Sequence, residues 1–286
     1  MKNKIALGTA QFGMNYGINN SKGIVSDKEL SDIFDLAKSE KINMLDCAFQ
    51  YGNSEKRIGS LSKNNFKIVT KCPEIKSEIE LLNYFSESIK RLNTNLIYGY
   101  LFHSADNIID YPDSWSYMLK LKKNNKIEKI GYSLYNTIQL DKLLKYNFLP
   151  DIIQIPYSLL NRDFEKSFKT LRKLGVEIHV RSVFLQGLYF KDINKIPTTL
   201  SPLKPYLEKI HEICKLNDIS ISELAINFVR QNKNIDKIVL GIESRDQLEE
   251  NLKIMNSKLE RKLIKLVYEI NVKEKELLNP ANWNYL

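Results

Sequence analysis

The chain has 286 residues with a formal net charge of +9, and its 11 glycines and 8 prolines are too few for a loop-built or disordered protein. Its 43 Lys and Arg are spread along the chain with no tight block of five like charges, which reads as solvated helix faces rather than a nucleic-acid surface. Three cysteines, Cys47, Cys72 and Cys214, match neither CxxC nor a zinc spacing, and no apolar run reaches the roughly 20 residues of a membrane helix, so we expect a chain of the reducing cytoplasm with no bound metal, nucleic acid or membrane.

A strand at 5–7 opens the series, and a helix follows at 26–39. Ser26 with Glu29 forms a capping box, and Leu30, Ile33, Phe34 and Ala37 recur at helical spacing. Strands at Met44–Asp46 and 67–70 come next, then a helix at 77–92 that repeats the device with Ser77 and Glu80. Strand 96–102, helix 114–123, strand 127–131, helix 137–146, strand 152–155, helix 164–174 and strand 177–180 alternate from there. The next interval is longer: a loop at 182–205, of the size that functional lids or clamps have, then helices at 206–216 and 222–231. Strand 237–240 and helix 244–255 complete the alternation, and past Leu259 one more amphipathic helix precedes an irregular end at 279–286.

Most of the strands are rich in Ile, Val and Leu, as strands covered on both faces are. Strand-then-helix units predict parallel strands, and eight of them predict a closed sheet. The expected fold is α/β: a single (β/α)8 TIM barrel with extra C-terminal helices, one domain over 1–286. Active sites of such barrels lie at the carboxyl ends of the strands.

There the polar residues are informative. Asp46 ends the second strand with Tyr51 in its loop, Lys71 ends the third, and His103 ends the fourth. Each alone has an ordinary reading: a helix cap for Asp46, a solvated charge for Lys71, a packed ring with a wet hydroxyl for Tyr51, a satisfied polar residue for His103. Four different titratable groups at three successive strand ends point instead to one reaction centre. Asp46 holds Lys71 charged and oriented, Lys71 lowers the pKa of the Tyr51 phenol, and His103 hydrogen-bonds a carbonyl oxygen. Such a pocket suits hydride addition to a ketone or aldehyde, with Tyr51 protonating the developing alkoxide.

The segments LGTAQFGMNYG, LDCAFQYGNSEKRIG, KIVTKC and YLFHSAD resemble the aldo-keto reductase superfamily, in a divergent bacterial branch. The likeness continues through GYSLYN, DIIQIPYSLLNR, GVEIHVRSVFLQG and VLGIESRDQLEENL, nearly the whole chain in order. It implies the catalytic set Asp46, Tyr51, Lys71 and His103, and an extended NADPH (NADH in some members) bound without a Rossmann glycine fingerprint. By the same resemblance Gly8, Thr9 and Asp46 border the cofactor, and Ser133 and Gln154 hold the nicotinamide carboxamide. The family's Asn after that serine is here Leu134, with Asn136 two places on. Arg181 takes the place of an aromatic ring that stacks on the nicotinamide; Ser182, Phe184, Gln186 and Gly187 surround the pyrophosphate. Gly241, Ser244, Arg245, Gln247, Glu250 and Asn251 match the adenosine end, where Arg245 either pairs with a 2′-phosphate or is an ordinary surface residue.

A small-molecule carbonyl compound is the implied substrate, a keto or aldehydo sugar being one class the resemblance suggests. Candidate walls are Phe12, Tyr16, Phe49, Trp115 and Tyr189, each equally readable as packing. Two other readings stand: a redox-inactive cofactor-binding subunit, and a Schiff-base aldolase using Lys71, for which a neighbouring Asp46 is unfavourable. Oligomeric state stays open.

Overall fold

Eight parallel strands close on themselves in the computed structural model, which describes residues 4–63 and 65–283. The strands are β1 (Ile5–Gly8), β2 (Met44–Asp46), β3 (Lys67–Cys72), β4 (Ile97–Phe102), β5 (Ile127–Ser133), β6 (Ile152–Pro156), β7 (Glu177–Arg181) and β8 (Lys237–Gly241). Each pairs with the next, and β1 pairs with β8. The barrel is the predicted one, and six strands run one or two residues further at the carboxyl end than their apolar runs suggest. Among the added residues are Gly8, Lys71, Ser133, Arg181 and Gly241, and they carry much of the site.

Around the sheet lie α1 (Ala10–Gly13), α2 (Asp27–Ser39), α3 (Ser54–Leu61), α4 (Glu78–Leu92), α5 (Asp106–Asp110), α6 (Asp113–Lys123), α7 (Thr137–Lys145), α8 (Phe168–Lys173), α9 (Lys204–Leu216), α10 (Ile221–Arg230), α11 (Arg245–Ile254) and α12 (Arg261–Glu269). The serine half of each capping box forms: Ser26 Oγ accepts the Glu29 N–H and Ser77 Oγ the Glu80 N–H, each at 3.2 Å, while the Glu29 carboxylate accepts from the Arg245 N–H and the Glu80 carboxylate from the Lys76 N–H. Asn136 caps α7 by accepting the Gln139 N–H at 3.0 Å, which accounts for an Asn two places past Leu134.

Three short helices, α1, α3 and α5, are absent from the periodicity. None has a side-chain cap, and each is too short to declare a face. The helix expected at 164–174 divides into a 3-10 turn, Asp163–Ser167, and α8. The loop at 182–205 is wound into three 3-10 segments, Leu185–Phe190, Ile193–Lys195 and Thr198–Leu203. Residues 284–286 of the expected irregular end lie outside the described residues; before them the chain makes two more 3-10 turns, Lys275–Leu278 and Pro280–Asn282.

Most of the core lies between the strands' outer faces and the helices. A smaller cluster fills the barrel: Ala6, Met44, Val69, Leu101, Ile152 and Val239, with Tyr98 against them. Strand side chains alternate faces with period two. The inward positions two residues further on are therefore Gly8, Asp46, Lys71, His103, Gln154 and Gly241. One layer above the apolar plug, the barrel interior turns polar.

Candidate active site

Asp46 is the centre of that layer. Its Oδ2 accepts from Lys71 Nζ at 2.8 Å, and its Oδ1 accepts from Gln154 Nε2 at 2.6 Å. Lys71 Nζ also donates to the Cys47 carbonyl at 2.7 Å, and its side chain is 1% exposed. A buried ion pair persists only when both ions have further hydrogen bonds, and these do. Thr9 fixes the strand end from the other side, donating to the Asp46 carbonyl from its N–H at 3.0 Å and from Oγ1 at 2.9 Å. Ser54 donates to the Thr9 carbonyl at 2.9 Å, which ties the start of α3 to this turn.

Tyr51 reaches the same point from the β2–α3 loop. That loop is held by a close backbone approach: a Cβ on Gly13 would sit 2.0 Å from the Tyr51 carbonyl oxygen, so only glycine permits it. The Lys71 ammonium lies 5.3 Å from the Tyr51 ring centroid. The His103 ring stands edge-on to Tyr51, centroids 5.8 Å apart at 83°.

The expectation that Lys71 lowers the Tyr51 pKa is corrected. Burial first, then the Asp46 carboxylate, push the phenol well above its ordinary value. The Lys71 charge is balanced by Asp46 at contact distance, so desolvation of the phenolate dominates. Burial, then Lys71 and Arg181, hold His103 down to about 3, so its ring is neutral. Its Nδ1 is buried without a hydrogen-bond partner.

From this centre a groove of about 600 Å³ runs outward over β1 and β8. Gly8, Thr9, Tyr16, Asp46, Tyr51, Arg181, Ser182, Phe184, Gln186, Gly187, Gly241, Ser244, Gln247, Glu250 and Asn251 all line it. Ser133 and Gln154 lie deeper, paired in register on β5 and β6 and 2% and 0% exposed. Arg181 ends β7, donates to the Leu134 carbonyl at 3.0 Å and lies 4.7 Å from the Tyr135 ring centroid.

Four expected positions are placed elsewhere. Phe12 is fully buried and packs edge-on to Phe34, because α1 turns it outward against α2. Trp115, on the inner face of α6, packs on Phe102, Tyr132 and Phe148. Phe49 faces α4, against Tyr84 and the Arg91 guanidinium. Tyr189 is buried and donates to Ser158 Oγ at 3.0 Å. None of the four lines the groove, whereas Tyr16 does. Arg245 also stands outside it, with Nη1 3.9 Å from Glu249.

The sequence reading missed Gln11, Lys22, Glu243 and a crossing of the chain. The segment after β1 reaches the loop after β7: Ile18 N–H donates to the Gln186 carbonyl at 3.1 Å, and Gln186 Nε2 donates to Tyr16 Oη at 2.9 Å. Because β8 lies between β1 and β7, this segment spans the β8 end of the groove. Ser182, Leu185 and Gln186 all take left-handed backbone, uncommon outside glycine and concentrated at functional loops. Residues 15–23 lie between the expected strand and helix, and nothing in the sequence signals what they meet.

The family model for the aldo/keto reductase family matches residues 4–272. An NADH-specific methylglyoxal reductase of Escherichia coli K12 is 24% identical over 261 residues, covering 76% of this chain and 80% of that protein. An L-glyceraldehyde 3-phosphate reductase of the same strain is 24% identical over 202 residues, covering 62% of this chain and 58% of its own. An aldo-keto reductase from Bacillus halodurans, solved in its holo form, superposes with a TM-score of 0.76 at 20% identity, covering 94% of this chain and 92% of that one.

Proposed function

This chain belongs to the aldo/keto reductase family of nicotinamide-dependent oxidoreductases, and we propose that it reduces the carbonyl group of a small aldehyde or ketone to an alcohol, with Tyr51 as the proton donor. The observation that carries the reading is the convergence of Tyr51, His103 and the Asp46–Lys71 pair where Asp46 and Tyr51 line a groove of about 600 Å³.

A nicotinamide at this end fits the residues present. Gln154 Oε1 is a buried acceptor without a partner, suited to an amide N–H. Gln154 and Ser133 would hold the carboxamide, and Ser182, Phe184, Gln186 and Gly187 the linking phosphates. Bound there, the cofactor supplies a hydride to the carbonyl carbon.

Everything else falls to the chain's own groups. The neutral His103 ring hydrogen-bonds the carbonyl oxygen and polarises it. The Tyr51 phenol gives that oxygen its proton as negative charge develops. The desolvation that raises the phenol also raises the basicity of the alkoxide formed beside it, which in water is already the stronger base. Lys71, held by Asp46 5.3 Å from the ring centroid, faces the phenolate left behind, and the Arg181 charge favours it. The aldolase reading loses ground because Lys71 Nζ is spent on Asp46 and the Cys47 carbonyl.

The test is loss of reduced-nicotinamide absorbance with a panel of small carbonyl compounds, including methylglyoxal, glyceraldehyde 3-phosphate and keto sugars. Turnover that disappears in Tyr51→Phe while nucleotide still binds supports the assignment. Full turnover in that variant overturns it.

A further inference from the structure

We propose that the far end of the groove accepts the unphosphorylated ribose of NADH and rejects the 2′-phosphate of NADPH, with Glu243 as the discriminating residue. This rests on the preceding reading, in which Tyr51 marks the reactive end. A dinucleotide with its nicotinamide there brings its adenosine to Ser244, Gln247 and Asn251.

Three features of that end act against a phosphate. The first is its charge. Glu243 and Glu250 both line it, with Lys22 as the facing cation. Burial pushes the Glu243 carboxyl up, with the Gln247 side chain and Lys22 opposing it, so two carboxylates share this end with one facing cation and an excess negative charge remains. The backbone that carries Glu243 is tied to α11, its N–H donating to Gln247 Oε1 at 2.9 Å. A dianionic group set against two carboxylates is repelled, while a carboxylate accepts hydrogen bonds from ribose hydroxyls.

The second is the position of Arg245. A guanidinium is the side chain best matched to a phosphate, and this one does not line the groove. It is half-exposed and faces Glu249, one turn along α11 on the solvent side.

The third is the start of α11. A helix N-terminus favours an anion, but this one already holds one. Glu29, from α2, accepts the Arg245 N–H at 2.5 Å, and Ser244 Oγ accepts the Gln247 N–H at 3.2 Å. Two of the donors at this helix start, the Arg245 and Gln247 N–H groups, are occupied by the protein's own oxygens.

The experiment is a binding titration of the full chain with NADH and with NADPH, followed by quenching of protein fluorescence, without substrate. NADH should bind about tenfold tighter or more, as expected for one uncompensated like-charge contact. Glu243→Gln should narrow that ratio by about tenfold, mainly through tighter NADPH binding. Glu29→Ala should narrow it by a smaller factor by freeing the Arg245 N–H at the start of α11. NADPH binding as tight as NADH in the unaltered protein, or a ratio that Glu243→Gln leaves unchanged, overturns the proposal. If neither nucleotide binds, the reductase reading falls and this one with it, an outcome distinct from loss of discrimination alone.

Discussion

Gln154 donates to Asp46 Oδ1 at 2.6 Å, joining residues 108 positions apart across the mouth of the barrel. The other carboxylate oxygen is held by Lys71, from the neighbouring strand. One carboxylate is thus gripped from two sides of a closed sheet, and neither grip is replaceable by water at 3% exposure.

Removing either grip should cost stability in a fixed order. Gln154→Leu leaves one buried oxygen unpaired, worth about 1–3 kcal/mol. Lys71→Met leaves a buried carboxylate without its cation, worth about 3–5 kcal/mol. Thermal denaturation should show both melting below the unaltered protein, with Lys71→Met the lower. A Lys71→Met protein as stable as the parent would mean the pair is not buried in solution.

Tyr51→Phe should lower turnover by about 10²–10⁴, the range for loss of a positioned general acid. Its nucleotide affinity should be unchanged, since only the hydroxyl is removed. Steady-state rates and a binding titration on one preparation separate the two effects.

His103 makes stability depend on acid. Its imidazole is held down to about 3 by burial and by the charges of Lys71 and Arg181, against about 6.5 in an unfolded chain. Between those values the unfolded state takes up a proton that the folded state refuses. Stability is therefore full above the unfolded value and drains as pH falls. Melting temperature should drop more steeply between about pH 7 and about pH 4 in the parent than in His103→Gln. Parallel curves would show that the ring is charged in the folded protein.

The three cysteines should be inert while the chain is folded. All are buried, and burial pushes Cys47 up to about 12 and Cys214 up to about 11, with Cys72 also raised. The thiolate is the reactive form. A thiol-specific chromogenic disulfide should label almost none of them in native buffer and all three in denaturant.

Gly13→Ala should disturb the Tyr51 loop without touching a reacting group. The added carbon meets the Tyr51 carbonyl oxygen at 2.0 Å and the Ser54 nitrogen at 2.3 Å, so one of the two backbones must move. Turnover should fall by about a hundredfold or more, because a displacement of about 1 Å in a reacting group has that effect.

The barrel was legible because eight apolar runs and their intervening helices repeat one unit, and the reaction centre because strand ends in such a fold face one way. Asp46, Lys71 and His103 follow from that alternation alone. The walls were not legible for the opposite reason: a residue beyond a strand end has no fixed direction. Phe12 is turned into the core by a four-residue helix that carries no capping signal, and Trp115 by the phase of α6. The surroundings of Arg245 depend on Glu29, 216 positions away, a contact that no local pattern encodes.

The segment joining the β1 and β7 loops over the groove sets a schedule as well as a shape. Ile18 and Tyr16 bond to Gln186, and Lys191 Nζ reaches the Ile18 carbonyl at 3.3 Å. A long ligand cannot settle beneath a bolted bar; the bar must swing first or the ligand must thread. Loop motions of this kind are slower than diffusional encounter. In rapid mixing, the observed rate of nucleotide capture should therefore level off at high concentration, and departure of the spent nucleotide should set the pace of each cycle.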